Sequence, residues 1–339
     1  METILVTGGA GFIGSNFIKY LLNTCPAARV VNVDKLTYAG NEGNLMDICP
    51  NENYIFVRED ICNRKGIEEI FFRFRPDFVI NFAAESHVDR SIRDSEAFVR
   101  TNVLGVQVLL QTSLECNVRR YVQISTDEVY GPAESGLYLS EEAGLMPSSP
   151  YAASKAAADL LVQSFYTTYK LPVIITRCSN NYGPNQYPEK FIPLIIKNCL
   201  DNIRIPIYGN GRNVRDWLHV LDHCAAIYRV LRDGREGDIY NISAGNEKEN
   251  ILIVRLIIGI LRDIPGCDDK RRSLINENLI EYVEDRKGHD KRYGISSDKL
   301  RNELGWEPVR HFDEAIVQTV RWYVDNACWF YATGKGCTA

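Results

Sequence analysis

The sequence predicts an α/β protein built on a doubly wound parallel sheet, with a smaller second domain interleaved into the chain. Three observations predict this fold. In the first half, short apolar runs alternate with stretches in which apolar residues recur at helical spacing. Turn-rich segments separate these elements, and the alternation breaks off near residue 179 and resumes later. Such alternation is typical of right-handed βαβ units, whose parallel strands are covered by helices on both faces.

The predicted strands are short apolar runs bounded by turn residues. Those of the first half are Ile4–Thr7, Val30–Asp34, Tyr54–Arg58, Phe78–Phe82, Tyr121–Ser125 and Val173–Arg177. The predicted helices show apolar residues at helical spacing. They are Ser15–Leu22, Arg64–Phe74, Asn102–Cys116, Tyr151–Tyr169 and a later face of Ile316, Val320 and Tyr323. Ser149 is a plausible cap for the helix at Tyr151, with Pro150 in its first turn.

The chain of 339 residues, 45% of them apolar, is long enough for one large domain with a satellite or for two moderate domains. A turn-rich segment at 179–184 marks the predicted start of the second domain, and Asn210-Gly211 predicts a tight turn within it. A helix at Val220–Leu231 and a strand at Ile239–Ile242 return to the first domain. The expected division is 1–178 plus about 212–245 for the larger domain, about 179–211 plus 246–330 for the smaller one, and 331–339 for a flexible tail.

The charge pattern argues against a nucleic acid partner. The net charge is −5, and no run of five or six like charges occurs. Met1 leads directly into an apolar strand without a basic, signal-like region, and no later run approaches the roughly 18 apolar residues of a membrane span. We therefore expect a cytoplasmic protein that binds neither nucleic acid nor membrane.

The ten cysteines are scattered along the chain and contain no C-x-x-C pair. We expect reduced thiols, mostly buried, and no metal site. Their positions are Cys25, Cys49, Cys62, Cys116, Cys178, Cys199, Cys224, Cys267, Cys328 and Cys337.

A glycine-rich turn from Gly8 to Gly14 follows the first strand and opens the first helix, with the spacing G-x-x-G-x-x-G. In that context glycines let backbone N–H groups and a helix N-terminus approach a pyrophosphate. Asp34 ends the second strand, where its carboxylate can accept hydrogen bonds from both ribose hydroxyls and repel a 2′-phosphate. The sequence therefore predicts a Rossmann-type site for NAD rather than NADP.

Two short motifs predict a catalytic site. Tyr151 and Lys155 are four residues apart on one helix face, where a cation lowers the pKa of a phenol and makes it a usable base. Asp127 and Glu128 follow a strand at the sheet edge where ligands of doubly wound folds bind. Alone, the first motif is often an exposed helix pair and the second a solvated loop. The glycine turn in the same chain gives them weight.

Together these motifs resemble the extended short-chain dehydrogenase/reductases, and within them the dTDP-glucose 4,6-dehydratases. Asp127 is the sharpest discriminator, because related epimerases usually carry small or hydroxyl residues there, whereas GDP-mannose dehydratases and decarboxylases tend to have Thr-Ser-Glu. Two departures are Phe191, where many relatives have Leu, and Lys287, where they have Pro. The matching segments are Thr7–Ser15, Asp34–Asn41, Ala83–Ser91, Ser125–Gly131, Tyr151–Lys155, Ser179–Pro184, Gly209–Val220 and Gly288–Asp290.

The resemblance implies a reaction in three steps. Tyr151, with Thr126 bonded to the same oxygen, removes the proton of the sugar 4-hydroxyl while the C4 hydride passes to NAD. Glu128 then takes the C5 proton as a general base, and Asp127, held protonated, donates to the departing C6 hydroxyl. The hydride returns to C6 and a proton to C5. Two adjacent carboxyls can differ in charge at one pH if they repel each other and are unevenly buried.

The resemblance also implies two sets of binding residues and a homodimer that pairs the helices Asn102–Cys116 and Tyr151–Tyr169. The NAD contacts are Gly8, Gly11, Phe12, Ile13, Gly14, Asp34, Lys35, Leu36, Thr37, Asp60, Ile61, Ala83, Ala84, Ser86, Thr101, Tyr151, Lys155 and Asn181. The nucleotide-sugar contacts are Ser86, His87, Thr126, Asn180, Lys190, Phe191, Pro206, Ile207, Tyr208, Arg215, Asn250, Asp285, Arg286 and His289. For Arg215 the expectation has a physical basis, since its guanidinium fork matches phosphate oxygens.

Other functions stay open on the sequence. A UDP-glucose 4,6-dehydratase or a nucleotide-sugar epimerase would share most of these motifs. The chain could instead be a noncatalytic scaffold that senses NAD, which would not be an enzyme. Such a protein would be expected to lose Tyr151 or Lys155, and both are present.

Overall fold

The computed structural model describes residues 1–264 and 273–333. Twelve strands run through these residues and form three separate sheets. The strands are β1 (Thr3–Thr7), β2 (Arg29–Val33), β3 (Tyr54–Val57), β4 (Phe78–Asn81), β5 (Arg120–Thr126), β6 (Val173–Cys178), β7 (Asn180–Tyr182), β8 (Ile205–Tyr208), β9 (Val214–His219), β10 (Ile239–Ile242), β11 (Glu247–Glu249) and β12 (Ile280–Val283).

The largest sheet has seven strands in the order β3-β2-β1-β4-β5-β6-β10, and every pair in it is parallel. The strand order reverses between β1 and β4, because β2 and β3 extend the sheet in one direction and the later strands in the other. Such a reversal opens a crevice at the carboxyl ends of the strands. The predicted doubly wound parallel sheet is confirmed.

Helices cover both faces of this sheet. Phe17, Ile227 and Leu300 share a buried core on one face, and Phe71 and Leu109 belong to a core on the other. The helices are α1 (Phe12–Thr24), α2 (Arg64–Phe74), α3 (Val88–Arg93), α4 (Glu96–Val99), α5 (Val106–Glu115), α6 (Pro150–Tyr169), α7 (Phe191–Asp201), α8 (Val220–Asp233), α9 (Asn250–Asp263), α10 (Asp298–Leu304), α11 (Phe312–Asp325) and α12 (Ala327–Thr333). Helices α1, α8 and α10 lie on the first face, and α2, α5 and α6 on the second.

Two of the predicted helices carry or approach the predicted catalytic and NAD-binding residues. Helix α6 begins as expected: the Ser149 hydroxyl accepts a hydrogen bond from the Ala152 N–H at 3.1 Å, and Pro150 occupies the first turn. The helix predicted at Asn102–Cys116 starts earlier, as α4, and reaches α5 through a π-helical turn at Arg100–Gly105. Such turns are often found at functional sites.

The second domain combines two small sheets with the helices α7, α9, α11 and α12, which share one buried core. The predicted turn at Asn210-Gly211 is present, with the Gly211 N–H bonded to the Tyr208 carbonyl at 3.1 Å. Its flanking strands do not form a hairpin. Strand β8 pairs with β12, and β9 lies between β7 and β11.

Two segments correct the predicted domain boundaries. Strand β9, placed in the larger domain by the expected range 212–245, belongs to the three-stranded sheet of the smaller one. Helix α10, placed in the smaller domain by the range 246–330, packs Leu300 and Leu304 into the core of the seven-stranded sheet. The chain therefore crosses between the domains more often than the sequence suggested.

The structure also tests the expectations about the C-terminal tail and about the cysteines. Residues 331–333 of the predicted flexible tail are helical, and 334–339 lie outside the described residues. Of the eight cysteines within the description, all with free thiols, only Cys178, Cys199 and Cys224 are buried, so the expectation of mostly buried thiols was wrong there; Cys267 and Cys337 lie outside it. No helix in 1–264 and 273–333 combines the length and apolar character that a membrane crossing requires.

Candidate active site

A deep cleft lies at the strand-order reversal, along the carboxyl ends of β1, β2, β4 and β5. All five predicted catalytic residues line it, as do all the predicted NAD contacts except Leu36. Of the predicted nucleotide-sugar contacts, four line the cleft itself: Ser86, Thr126, Asn180 and Lys190.

The glycine turn at one end of the cleft is shaped by contacts that exclude side chains. A Cβ on Gly8 (φ +69°) would lie 2.5 Å from the Ala83 nitrogen, and one on Gly14 would lie 2.4 Å from the Gly8 carbonyl oxygen. A Cβ on Gly11 would meet only the Gly8 oxygen, at 3.2 Å, and otherwise open space. Gly11 is also the N-cap of α1, with no side chain capping the helix. The turn thus leaves a helix N-terminus open to an anion, which fits a pyrophosphate.

Asp34 lies beside this turn and is nearly buried. One carboxylate oxygen accepts from the Ala10 N–H at 3.0 Å and the other from the Leu36 N–H at 2.8 Å. Burial raises the pKa of Asp34, and these two backbone bonds oppose the rise. Each oxygen keeps acceptor capacity for a ribose hydroxyl. The arrangement therefore fits the adenosine ribose of NAD.

The paired acids sit in a short 3₁₀ turn directly after β5. The Thr126 hydroxyl caps this turn by accepting from the Glu128 N–H at 3.3 Å, and it donates to the Asp127 carboxylate at 3.2 Å. Asp127 is buried, whereas Glu128 is partly accessible from the cleft. The turn therefore presents both carboxyls to the same space.

The two acids differ in charge preference. Burial, followed by repulsion from Glu128, raises the pKa of Asp127 to about 8. Burial also raises the pKa of Glu128, but the cations of Arg215, Lys190 and Arg286 oppose that rise. At neutral pH the geometry therefore favours a neutral Asp127, able to donate a proton, beside a Glu128 carboxyl whose charged form is stabilised by three cations.

Tyr151 and Lys155 project from the first two turns of α6. Burial raises the pKa of Tyr151 well above its usual value, the nearby Glu128 adds to this, and a hydrogen bond with Thr126 opposes it. Lys155 is buried and donates to the Ile124 carbonyl at 2.6 Å. The expectation that Lys155 lowers the phenol pKa is not met, because desolvation dominates at the tyrosine.

A buried ion pair lies one helical turn beyond Lys155. Arg177 donates through Nε to Asp159 at 2.8 Å, and both side chains are almost completely inaccessible. Burial lowers the pKa of Lys155, and the Asp159 charge opposes this change. Arg177 in turn stacks over the Tyr130 ring at 4.7 Å. The Asp159 charge therefore favours the ammonium form of Lys155 against the effect of burial.

The predicted phosphate ligand Arg215 is buried close to the paired acids. Its guanidinium donates to the Val214 carbonyl at 2.7 Å and the Asp290 carbonyl at 2.9 Å, and it stacks over the Tyr293 ring at 4.4 Å. Lys190 donates to the Ser86 carbonyl at 2.9 Å. Two cations of the second domain, Arg215 and Lys190, thus lie near the acid pair.

A second charged cluster lies further out, between the two domains. Arg286 forms two contacts with Asp89, from Nε at 2.6 Å and from a terminal nitrogen at 3.0 Å, and lies over the Tyr208 ring at 5.1 Å. The Nδ1 of His289 donates to the Asp285 carboxylate at 2.6 Å, and the His289 ring meets the Tyr208 ring edge-on at 5.9 Å. Four predicted substrate residues are therefore together, around a tyrosine ring.

Other predicted contacts lie elsewhere. Ile207 is buried in the second-domain core and presents no surface to a ligand, because strand β8 alternates inward and outward side chains. Phe191 stacks on Trp217 with ring centroids 6.0 Å apart. Pro206 is exposed on β8, Asn250 is the first residue of α9, and His87 lies 3.7 Å from Glu189. These residues are outside the cleft lining.

Several cleft residues were missed on the sequence. Glu85 lies within the matched segment Ala83–Ser91 but has no role there, and Cys178 ends β6 beside the paired acids. Gln186 and Tyr187 line the cleft from the loop before α7. Position at a strand end could have identified Cys178; no local signal marks Gln186.

Comparisons with known proteins agree with this geometry. A family model described as GDP-mannose 4,6 dehydratase matches residues 5–319. The chain is 46% identical to a dTDP-glucose 4,6-dehydratase of Neisseria meningitidis serogroup B, over 97% of this chain and 95% of the relative. It is also 46% identical to dTDP-glucose 4,6-dehydratase 1 of Escherichia coli, over 96% and 94%. A solved dTDP-glucose 4,6-dehydratase of Streptomyces venezuelae, with NAD and a ligand named TYD bound, superposes with a TM-score of 0.91 at 44% identity, covering 98% of this chain and 99% of that one.

Proposed function

This chain belongs to the dTDP-glucose 4,6-dehydratase family, and from that membership we propose that it is an NAD-dependent hydro-lyase that converts dTDP-glucose to dTDP-4-keto-6-deoxyglucose. The observation that carries the proposal is the acid pair. A carboxyl with its pKa raised to about 8 stands beside a second carboxyl, in one cleft with Tyr151 and the glycine turn. An epimerase has no need for this pair, because it expels no water.

The glycine turn, the open end of α1 and Asp34 are the groups that hold NAD in this proposal. Bound there, NAD supplies the hydride acceptor for C4 and the hydride donor for C6. The residues of the chain carry the protons. Tyr151 accepts the proton of the 4-hydroxyl, with the Thr126 hydroxyl bonded to the same oxygen.

The acid pair performs the elimination. Once C4 is a ketone, the C5 proton is acidic, and Glu128 removes it as general base. Asp127 gives its own proton to the C6 hydroxyl, which leaves as water. Glu128 gives the proton it removed back to C5 when the hydride returns to C6. Asp159 opposes the effect of burial on Lys155 and so favours the charged form of this lysine, four residues along α6 from Tyr151.

The nucleoside diphosphate is held by the second domain in this proposal. Arg215 and Lys190 provide cations beside the acid pair, and Arg286 provides a third at the outer cluster. The Tyr208 ring, partly exposed, offers a flat surface for the base. Asp285, His289, Pro206 and Asn250 complete the outer site, and Ile207 contributes only through the core.

We also propose a cytoplasmic homodimer. Leu160 on α6 is 57% exposed and Leu104, in the π-helical turn, 49%. Apolar side chains this exposed on neighbouring helices are typical of a protein interface. Sedimentation of the purified protein tests the dimer, which Leu160→Glu should dissociate.

The free thiols among the described cysteines fit a reducing compartment.

One isotope experiment tests the reaction. The purified enzyme is given dTDP-glucose deuterated at C4, and mass spectrometry locates the label in the product. The proposal expects the label at C6 of the same molecule, with UDP-glucose a poor substrate. Release of stoichiometric NADH, or a product that keeps its C6 oxygen, contradicts it; a 4-epimer would identify an epimerase.

A further inference from the structure

The last helix, α12, is anchored by aromatic packing on α11. The Phe330 and Tyr323 ring centroids are 4.8 Å apart, and those of Trp329 and Trp322 are 5.1 Å apart. Phe330 and Tyr323 are completely buried. Aromatic pairs at these distances stabilise beyond the area they bury. A helix of seven residues is thereby held in a defined position on the second domain.

From this position α12 reaches the first domain through two hydrogen bonds. The Trp329 indole N–H donates to the Asn44 side-chain oxygen at 2.8 Å. The Asn41 side-chain amide donates to the Thr333 hydroxyl at 2.8 Å. Both asparagines lie in the loop that follows β2 and Asp34. The C-terminal helix is therefore tied to the loop beside the predicted ribose site.

Asn44 continues this connection to the glycine turn. It is 1% exposed, and its amide donates to the Ala10 carbonyl at 2.9 Å. The Ala10 N–H in turn donates to the Asp34 carboxylate at 3.0 Å, and the Asn41 N–H donates to the Ala10 carbonyl at 3.0 Å. A continuous path of hydrogen bonds runs from Trp329 through Asn44 and Ala10 to Asp34.

We propose that α12 is a brace that retains the cofactor, in which Trp329 acts through Asn44 as a positioning residue for the glycine turn and Asp34. The turn is rich in glycine and has wide backbone freedom, so fixing it in advance lowers the entropy lost when a dinucleotide binds. A dehydratase that regains its own hydride has to keep NAD in place throughout the reaction. The inference rests on the proposed function only in taking NAD as the ligand of this turn.

Trp329→Phe tests the brace, because phenylalanine keeps an aromatic ring against Trp322 and removes the N–H donor together with part of the indole. The measurement is the dissociation rate of NAD from the full-length enzyme, followed by dialysis against a trapping dehydrogenase. We expect NAD to dissociate about fivefold faster, the loss from one buried hydrogen bond. The kcat at saturating NAD should stay unchanged, since Trp329 touches none of the proposed catalytic residues.

Tyr331→Phe is the matched control on the same helix. The Tyr331 hydroxyl donates to Asp201 of α7 at 2.6 Å, away from the glycine turn. Both variants should lower the unfolding temperature by similar amounts, but only Trp329→Phe should speed NAD release. Thr333→Val, which removes the Asn41 bond, is a milder variant and should give a smaller change of the same sign.

The outcomes separate the brace from the proposed function. If the wild-type enzyme binds no NAD, the proposed function fails. If it binds NAD and Trp329→Phe releases it no faster than Tyr331→Phe does, the brace is wrong while the function stands. Should Trp329→Phe not fold, Thr333→Val decides: an unchanged NAD dissociation rate overturns the proposal.

Discussion

The two ends of the cleft are built in different ways. At the cofactor end, neighbouring stretches of chain at β1 and β2 form the site, and its hydrogen bonds run mostly through the backbone, as between Ala10 and Asp34. At the substrate end, side chains far apart in sequence meet through charge, as Asp89 and Arg286 do across 197 positions. Backbone hydrogen bonds fix the shape of the cofactor end. Ion pairs between side chains fix the substrate end, and a ligand can rearrange them.

This difference indicates how each end should respond to substitution. At the cofactor end, a larger side chain should weaken ligand binding, because close backbone contacts leave little space there. Changes of charge alter the substrate end, because its cations and acids balance one another. Substitutions at each end can test that contrast.

Glu128→Gln should separate the two ends most strongly. Glutamine has nearly the same shape but cannot accept the C5 proton, so kcat should fall about 10²- to 10⁴-fold. NAD binding should be unchanged, and exchange of the C5 hydrogen with solvent should stop. Kinetics, NAD titration and exchange in deuterated water measure the three. Continued C5 exchange in the variant would assign the base to another residue.

Asp127 should set an alkaline limb in the pH profile of kcat/KM. The acid must be protonated to expel water, and its pKa is raised to about 8, so activity is full below that pH and falls as pH rises through it. Above the limb, kcat/KM should drop about tenfold per pH unit. Asp127→Asn should lose most activity and this limb with it. A wild-type profile that is flat from pH 7 to 9.5 would contradict the assignment.

Gly11→Ala should weaken NAD while the protein stays folded. The new methyl group would meet only the Gly8 oxygen, at 3.2 Å, and would stand at the part of the cleft lining where we place the pyrophosphate. Losing one charge-assisted backbone contact should lower NAD affinity roughly 10- to 100-fold. Gly144→Ala, with nothing within 4 Å of its Cβ, is the matched control. Equal NAD affinity in both variants would show that the pyrophosphate lies elsewhere.

The sequence predicted the cofactor end well because its signals are local. The strand, glycine turn, helix and Asp34 follow one another within about one βαβ unit, which periodicity and turn chemistry can identify. Thr126, Asp127 and Glu128 were found because β5 ends at the sheet edge where ligands bind. What local pattern could not give was the effect of burial on the pKa of each acid, or the opposing charge of Arg215 from a distant strand.

The second domain was harder to predict because tertiary packing overrides its local preferences. The run at Asn250–Asp263 contains five isoleucines and no clear polar face, so it resembles a buried strand, yet it forms α9 in the second-domain core. The family motif alone predicts Ile207 as a contact for the base. Its side chain lies on the inward face of β8 and is buried, so it presents no surface to a ligand. Asp159 and Asn44 act through neighbours, and no spacing in the sequence marks them.

Asp159→Asn should move the pH dependence that Lys155 imposes. Burial lowers the pKa of Lys155 and Asp159 opposes this, so removing the carboxylate lowers the pKa further. The charged lysine would then be lost at a lower pH than in the wild type, so a second alkaline fall in activity, beyond the one that Asp127 sets, should move to lower pH. The other charged and polar neighbours of Asp159 are Arg177 and Ser125.

The same substitution leaves Arg177 buried without its anion, which costs about 3–5 kcal/mol in stability. The double variant Asp159→Asn with Arg177→Met removes that lone charge and should regain stability without restoring the pH limit. If the double variant recovers the wild-type profile, Asp159 serves only the fold.

Asp89→Asn should give the smallest effect and test the substrate end most directly. Asp89 holds Arg286 through two contacts, with both side chains about one quarter exposed. If Arg286 binds the diphosphate, Asp89 competes with it, and the neutral variant should bind dTDP about two- to fivefold more tightly at low salt. The gain should fade as salt screens the charges. Calorimetry with dTDP measures it, and Asp298→Asn, which removes an exposed acid paired with Arg301, is the charge control. Weaker binding in Asp89→Asn alone would mean that Asp89 positions Arg286 for the ligand rather than competing for it.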